Sequence, residues 1–258
     1  MADQPRIITD SETLQARYHE LGAGDRLVGR IRLRPSEESM LLDLQDRGVL
    51  MMPPAVAQSA SRSKAMQTRL FGWAMVPLTL AVHDLHDLLA GINLYGRHHI
   101  GKVVTKADRS NAGRGILLWN SVEEVYTQAS LAALPFPFIL QPFVPDCRDI
   151  RVVVIDAYLE AYRRHNPHGF RHNLHWGGES APCDLEPEQE QLCRRVMERG
   201  RFPYGHLDLM VSPEGETWLS EINLRGGIRG ARIGPEEYQR RVEEVHGRWL
   251  GRGNAGER

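Results

Sequence analysis

Apolar and polar positions along the chain change period several times, and those changes mark out its elements. From Arg26 to Leu33, Leu27, Gly29, Ile31 and Leu33 alternate with Val28, Arg30 and Arg32, the period-two pattern of a half-buried strand. Pro35-Ser36-Glu37-Glu38 then supplies a helix start with acids in its first turn, and Gly48 fits a C-terminal turn, so a helix is expected to about Asp46. Val49 to Met52 is a short apolar strand closed by Pro53-Pro54. Strand, helix and strand in this order form the crossover unit of a parallel sheet. Ser11 to Leu21 reads as an earlier short helix with Ser11 as its N-cap.

Further along, the spacing of Met66, Leu70 and Trp73 predicts a helix over Ser63 to Trp73, followed by a strand at Leu78 to Val82 and a helix at Asp84 to Leu89. Two strand-like runs, Gly101 to Lys106 and Gly115 to Trp119, enclose a polar loop, and Ser121 to Leu131 is a capped helix. Phe138 to Gln141, Ile150 to Ile155 and Ala157 to Tyr162 are β-rich, and Glu186 to Gly200 is an amphipathic helix. His206 to Val211 and Thr217 to Ile222 read as strands joined by the turn Ser212-Pro213-Glu214-Gly215. A last helix is expected over Glu236 to Leu250, then a frayed tail over 251–258.

Composition narrows the class. A chain of 258 residues with 41% hydrophobic and 25% charged residues has material for a sizeable core in one large domain or two unequal lobes. A net charge of -1 gives no global field toward nucleic acid or an anionic membrane, so an anionic ligand would need local basic clusters. Cys147, Cys183 and Cys193 are odd in number with no close pair, which argues against a disulfide framework or a structural zinc and fits a reducing cytosol. The polar N-terminus does not read as a secretory signal, and apolar stretches such as Phe71 to Val82 are too short or interrupted to span a bilayer.

Three constellations carry candidate chemistry. Glu221 and Asn223 stand two apart on one strand and so share a face, and Asp208 joins them if its strand pairs through the Pro213 to Gly215 turn. Such oxygen ligands suit Mg²⁺, although a solvated strand face would look the same. Lys106 ends a strand before Ser110-Asn111-Ala112-Gly113-Arg114-Gly115, a loop able to lay N–H groups and a lysine over phosphates, or simply a hairpin. It lacks the Gly-Lys-Ser/Thr of a Walker loop. Arg151, Arg163, Arg164 and Arg171 form the basic group, read either as charge stabilisers at a phosphoryl group or as a solvated edge. The spacing of His165, His168, His172 and His175 matches no usual metal set.

Taken in order, these pieces resemble the ATP-grasp superfamily, and within it the RimK-type ribosomal-protein glutamate ligases, with glutathione synthetase and D-alanine–D-alanine ligase more distant. The resemblance runs from about Arg30 to Gly230 and is strongest in Asp149-Ile150-Arg151, Arg163-Arg164 and Phe170-Arg171-His172-Asn173-Leu174-His175-Trp176-Gly177-Gly178. It implies an α/β ATP-grasp fold clamping ATP between two lobes (about 61–140 and 141–250) behind a reduced α/β lobe over 1–60. It also implies nucleotide roles for Lys64, Lys106, the Asn111 to Gly115 flap with Gly113, the hinge Gln141-Pro142-Phe143, Asp149, Arg171 and Asn173. Arg151 and Arg164 are implied as the charge-stabilising arginines. Arg163, His175, Arg225 and Gly226 fall at the substrate end. Asp208, Glu221 and Asn223 are implied as ligands of two Mg²⁺ ions, with Mn²⁺ as an alternative.

The implied activity is a carboxylate–amine ligase acting through an acylphosphate, on a small-molecule or peptide carboxylate and an amine. A small-molecule kinase on the same fold and a non-catalytic ATP-binding partner are the rival readings. Two departures bear on the site. Pro142 replaces the family's hinge glutamate, leaving the Pro142 carbonyl and the Phe143 N–H to read adenine. Leu224 to Arg232 carries Arg225, Arg229 and Arg232 where the family has a small-residue turn, which points to an anionic acceptor. The short leading lobe leaves open an acceptor site completed in a homodimer.

Overall fold

The computed structural model describes residues 4–110, 113–167 and 178–255. They build three sheets, each with its own apolar core. In the first, β1 (Ile7–Ile8), β2 (Arg26–Val28) and β3 (Leu50–Met52) run parallel in that order. The crossovers are α1 (Ser11–Arg17) and α2 (Ser39–Asp46), and Ile8, Leu14, Leu27, Leu41 and Leu44 lie buried between the layers.

Two local expectations fail here for identifiable reasons. β2 stops at Val28 because Gly29 takes φ +90, outside the strand region. Beyond it the Ile31 N–H donates to the Gln58 side chain at 3.2 Å and its carbonyl accepts from Arg62, so side chains replace a neighbouring strand. Asp10, not Ser11, caps α1, accepting from the Thr13 N–H at 2.8 Å, while the Ser11 hydroxyl accepts from the Arg32 N–H.

The second sheet is antiparallel in the order β4-β7-β5-β6, from β4 (Leu80–Val82), β5 (Val103–Ala107), β6 (Ile116–Trp119) and β7 (Phe138–Pro142). α5 (Leu85–Arg97) and α6 (Val122–Ser130) cover one face, burying Val82, Leu88, Val103, Val125, Phe138 and Leu140. α5 runs on past Leu89 to Arg97, with Gly91 inside it, where an added Cβ would stand 3.2 Å from the Leu80 side chain. By strand alternation Lys106, its register partner Ile139, and Gln141 face the other way.

The third and largest sheet is antiparallel in the order β10-β9-β8-β11-β12. Its strands are β8 (Arg148–Ile155), β9 (Tyr158–His165), β10 (Glu179–Cys183), β11 (Tyr204–Val211) and β12 (Thr217–Asn223). α7 (Pro187–Gly200) packs on one face over Val152, Leu207 and Leu209. α8 (Pro235–Ala255) covers one end of the other face and continues into the stretch expected to be a tail. α3 (Ala55–Ala60) and α4 (Lys64–Phe71) join this same core through Ala57, Ala60 and Phe71. Among the described residues no helix is long and apolar enough to cross a membrane.

Candidate active site

The uncovered end of the large sheet carries alternating charges. Strand register aligns Asp208 with Arg151 on one side and Glu221 on the other, and Asp149 with Arg164, so all five side chains stand on one face. Arg151 grips Asp208 with two bonds, Nε to Oδ1 at 2.7 Å and Nη2 to Oδ2 at 2.8 Å. Arg164 bridges the two aspartates, reaching Asp149 Oδ1 at 2.6 Å and Asp208 Oδ2 at 3.0 Å. Burial pushes the Asp208 carboxyl up, but Arg151 and Arg164 together outweigh it and hold the group well below the usual carboxylate range. Burial has the upper hand at Asp149, whose carboxyl is raised despite Arg164.

Two lysines meet this face from the opposite side of a narrow cleft. Lys64, at the start of α4, donates to Glu221 Oε1 at 3.1 Å and to the Ser110 carbonyl at 2.6 Å. Lys106, only 7% exposed, donates to Ser220 Oγ at 3.2 Å. Nothing in the residue pattern singles out Ser220. The register slips between Asp208 and Leu209, pairing the latter with Leu219, and this bulge leaves Ser220 turned into the cleft. Burial lowers the Lys106 ammonium to about 8, with Glu221 pulling it up and Lys64 down.

The cleft between the sheets is nearly closed, with a cavity of about 10 Å³ lined by Lys64, Gln67, Lys106, Ile139, Gln141 and Ser220, among others. That lies below the ~300–1,000 Å³ of ordinary small-molecule pockets, so a nucleotide would part the lobes to enter. The Gln141 amide reaches Met210 Sδ at 3.8 Å across the cleft, and Pro142 ends β7 beside it. At the hinge, the Phe143 N–H already donates to the Lys102 carbonyl at 3.0 Å, extending the β5–β7 ladder, and is engaged where adenine recognition would call on it.

Other expected residues fall as follows. Arg163 is exposed and alternates to the opposite face of β9 from Arg164, which corrects the expectation that both serve one site. Gly113 and Gly115 lie in the β5–β6 hairpin, and at Gly115 (φ +75) a Cβ would stand 2.7 Å from Ala107 Cβ. Gly226 packs on the His206 ring, 2.8 Å from where its Cβ would be, and Arg225 is exposed beside it. Asn111, Arg171, Asn173 and His175 lie outside the described residues. No group of three or more His, Cys, Asp or Glu side chains suited to a metal occurs among the described residues. The expected set is instead two carboxylates and an amide. Its donors are all oxygens on adjacent strands, and Asp208 is held ionised, so they fit a hard cation.

The RimK-like ATP-grasp domain matches residues 63–234. The chain belongs to the RimK-like ATP-grasp family. A probable alpha-L-glutamate ligase of Xanthomonas campestris pv. campestris (strain 8004) is 25% identical over 244 residues, covering 87% of this chain and 79% of that protein. A glutathione synthetase of Agrobacterium fabrum is 27% identical over 173 residues, covering 61% and 50%. The solved structure of the ATP-grasp ligase PsnB, with a minimal precursor, Mg and ADP, superposes with a TM-score of 0.60 at 16% identity, covering 94% of this chain and 96% of that one. The ATP-grasp fold is thus established, and the family is one of ATP-dependent carboxylate–amine ligases.

Proposed function

We propose that this protein couples ATP and Mg²⁺ to the joining of a carboxylate and an amine through an acylphosphate. The observation that carries this reading is the cleft where Lys64, Lys106, Arg151 and Arg164 interleave with Asp149, Asp208 and Glu221. Lys64 and Lys106 would bind the triphosphate, drawing Lys64 off Glu221. Arg151 and Arg164 would orient the transferring γ-phosphoryl group and offset its charge. Asp208, Glu221 and Asn223 would hold Mg²⁺, which supplies charge neutralisation and alignment of the phosphates. A substrate carboxylate oxygen attacks the γ-phosphorus and ADP leaves. The amine nitrogen then attacks the acyl carbon, phosphate departs, and the ammonium proton is lost to give an amide.

The relatives' names support an amino acid or peptide as substrate, and the cysteine pattern supports a cytosolic setting. A screen of carboxylate–amine pairs for ADP release tests the reading. Amine-dependent release with a hydroxylamine-trappable intermediate is expected, whereas a stable phosphorylated product formed without amine would make the protein a kinase. Glu221→Gln is expected to cut Mg²⁺-dependent turnover by about 100-fold or more while the circular dichroism spectrum is unchanged. Turnover within about twofold of the parent would sink the metal assignment.

A further inference from the structure

The segment after β2 is fixed at several points yet leaves its charges unanswered. The Gly29 N–H donates to the Met52 carbonyl at 2.7 Å, the Ile31 N–H and carbonyl are clamped by Gln58 and Arg62, and the Arg32 N–H is held by Ser11. Ile31, 1% exposed, anchors in the first core. Its neighbours Arg30 and Arg32 are both exposed, and because Arg62 bonds the Ile31 carbonyl while the adjoining Ser61 Oγ accepts from the Leu224 N–H, this loop and the segment carrying Arg225 meet at residues 61 and 62. Burial first, then Arg225 and Arg32, lowers the Arg30 guanidinium below its ordinary value. None of these three side chains makes an ion pair among the described residues.

Arg225 is set with equal care. Leu224 is buried and its N–H donates to Ser61 Oγ at 2.9 Å, while the Gly227 carbonyl accepts from Arg151 Nη1 and from the Tyr162 hydroxyl, each at 3.3 Å. Gly226 lies on His206, whose Nε2 pairs with the Tyr238 hydroxyl at 2.9 Å and whose buried Nδ1 has no partner among the described residues. Arg225 in turn acts on Tyr238, whose hydroxyl belongs to this buried polar layer. At most about 7 Å of chain separates it from Gly227, and Gly227 touches Arg151 of the charged cleft. Clustered guanidiniums on braced backbone, with no carboxylate paired to them among the described residues, cost stability through mutual repulsion, and an arriving anion would relieve it.

We propose that Arg30, Arg32 and Arg225 form an anion subsite that takes a second carboxylate of the substrate, remote from the carboxylate activated at Arg151 and Arg164. The subsite deepens the ligase reading and rests on it. It makes the first and last lobes joint readers of substrate charge, and it gives the arginines after Asn223 a definite partner on the loop after β2.

The test measures calorimetric binding to the full-length protein loaded with MgADP, and ADP release with MgATP. The probes are paired dipeptides that differ only in a C-terminal Glu or Gln. The acidic member is expected to bind or turn over with about 10- to 100-fold lower Kd or KM, the worth of one or two charge-assisted hydrogen bonds. Arg30→Gln with Arg225→Gln should remove that preference while MgADP affinity stays within about threefold. Arg225→Glu should invert it, which keeps the test informative if the double variant folds poorly. Equal binding of both members, no binding of any acidic member, or an unchanged preference in the variants would overturn the subsite. A wild-type protein that binds no MgADP would bring down the ligase reading with it, whereas normal MgADP binding and neutral-substrate turnover would leave that reading standing.

Discussion

Lys106 carries its charge in surroundings that oppose it. Its pKa is lowered from 10.5 to about 8, chiefly by burial. Between those values the unfolded chain holds the proton and the folded chain does not, so stability rises with pH across that window. The gain is bounded by about 3 kcal/mol, read as the difference between wild type and Lys106→Met in urea titrations at about pH 7.5 and 10. MgATP affinity should move the other way, weakening about tenfold from pH 7 to 9 in the wild type and staying weak and flat in Lys106→Met. A pH-independent wild-type affinity would show that Lys106 does not meet the phosphates. The lysine itself was legible in the sequence as the end of a strand before a glycine loop. Its partner Ser220 was not, because a bulge that changes register leaves no period to read. The Arg163-Arg164 pair shows the reverse case: adjacency suggested cooperation, and strand alternation sends the two to opposite faces.

Among the elements, the start of α4 does more than position Lys64. Its N-cap Ser63 and the Ala65 N–H both bond the Asp108 carboxylate, at 3.1 Å each to Oδ1, and Lys64 holds the Ser110 carbonyl. Arg109 pairs with Glu38 beside α2, its Nη2 2.9 Å from Oε2. The loop leaving β5 is thus latched to both the first lobe and the large one, over the place where phosphates would lie. Asp108→Ala is expected to cost about 1–2 kcal/mol as a lost helix cap and to speed amide exchange through residues 104–110. Asp108→Asn should recover part of both, since it keeps an acceptor. An exchange rate unchanged in Asp108→Ala would show the latch to be incidental. Elements such as β5, α6, α7 and the β11–β12 hairpin were readable because period, caps and turn residues agree there. β1 was missed because two residues carry no period, and β10 because Glu179 to Cys183 is a mostly exposed edge strand without alternation.

At the scale of the whole molecule, the lobes are registered by a contact that no pattern announces. β12 is an edge strand, so its outward N–H and C=O groups need partners from elsewhere. The Gln67 side chain supplies them as a stand-in peptide: its Oε1 accepts from the Ile222 N–H at 3.0 Å, and its Nε2 donates to the Ile222 carbonyl at 2.8 Å. The same nitrogen donates to the Ala60 carbonyl at 2.8 Å, and the side chain is 1% exposed. In the sequence Gln67 is an ordinary helix residue, and only the meeting of α4 with a sheet edge some 150 residues later gives it meaning. Because Lys64 precedes it by one helical turn, the staple also sets Lys64 against Glu221. Gln67→Leu keeps the volume but strands buried backbone groups, so a loss on the order of 3 kcal/mol or more is expected in denaturant titrations. Measured well below its melting temperature, the variant should also show a raised KM for ATP, because the staple places Lys64 as well as stabilising the fold. A lowered melting temperature with an unchanged KM would confine Gln67 to stability and leave the placement of Lys64 to its own ion pair.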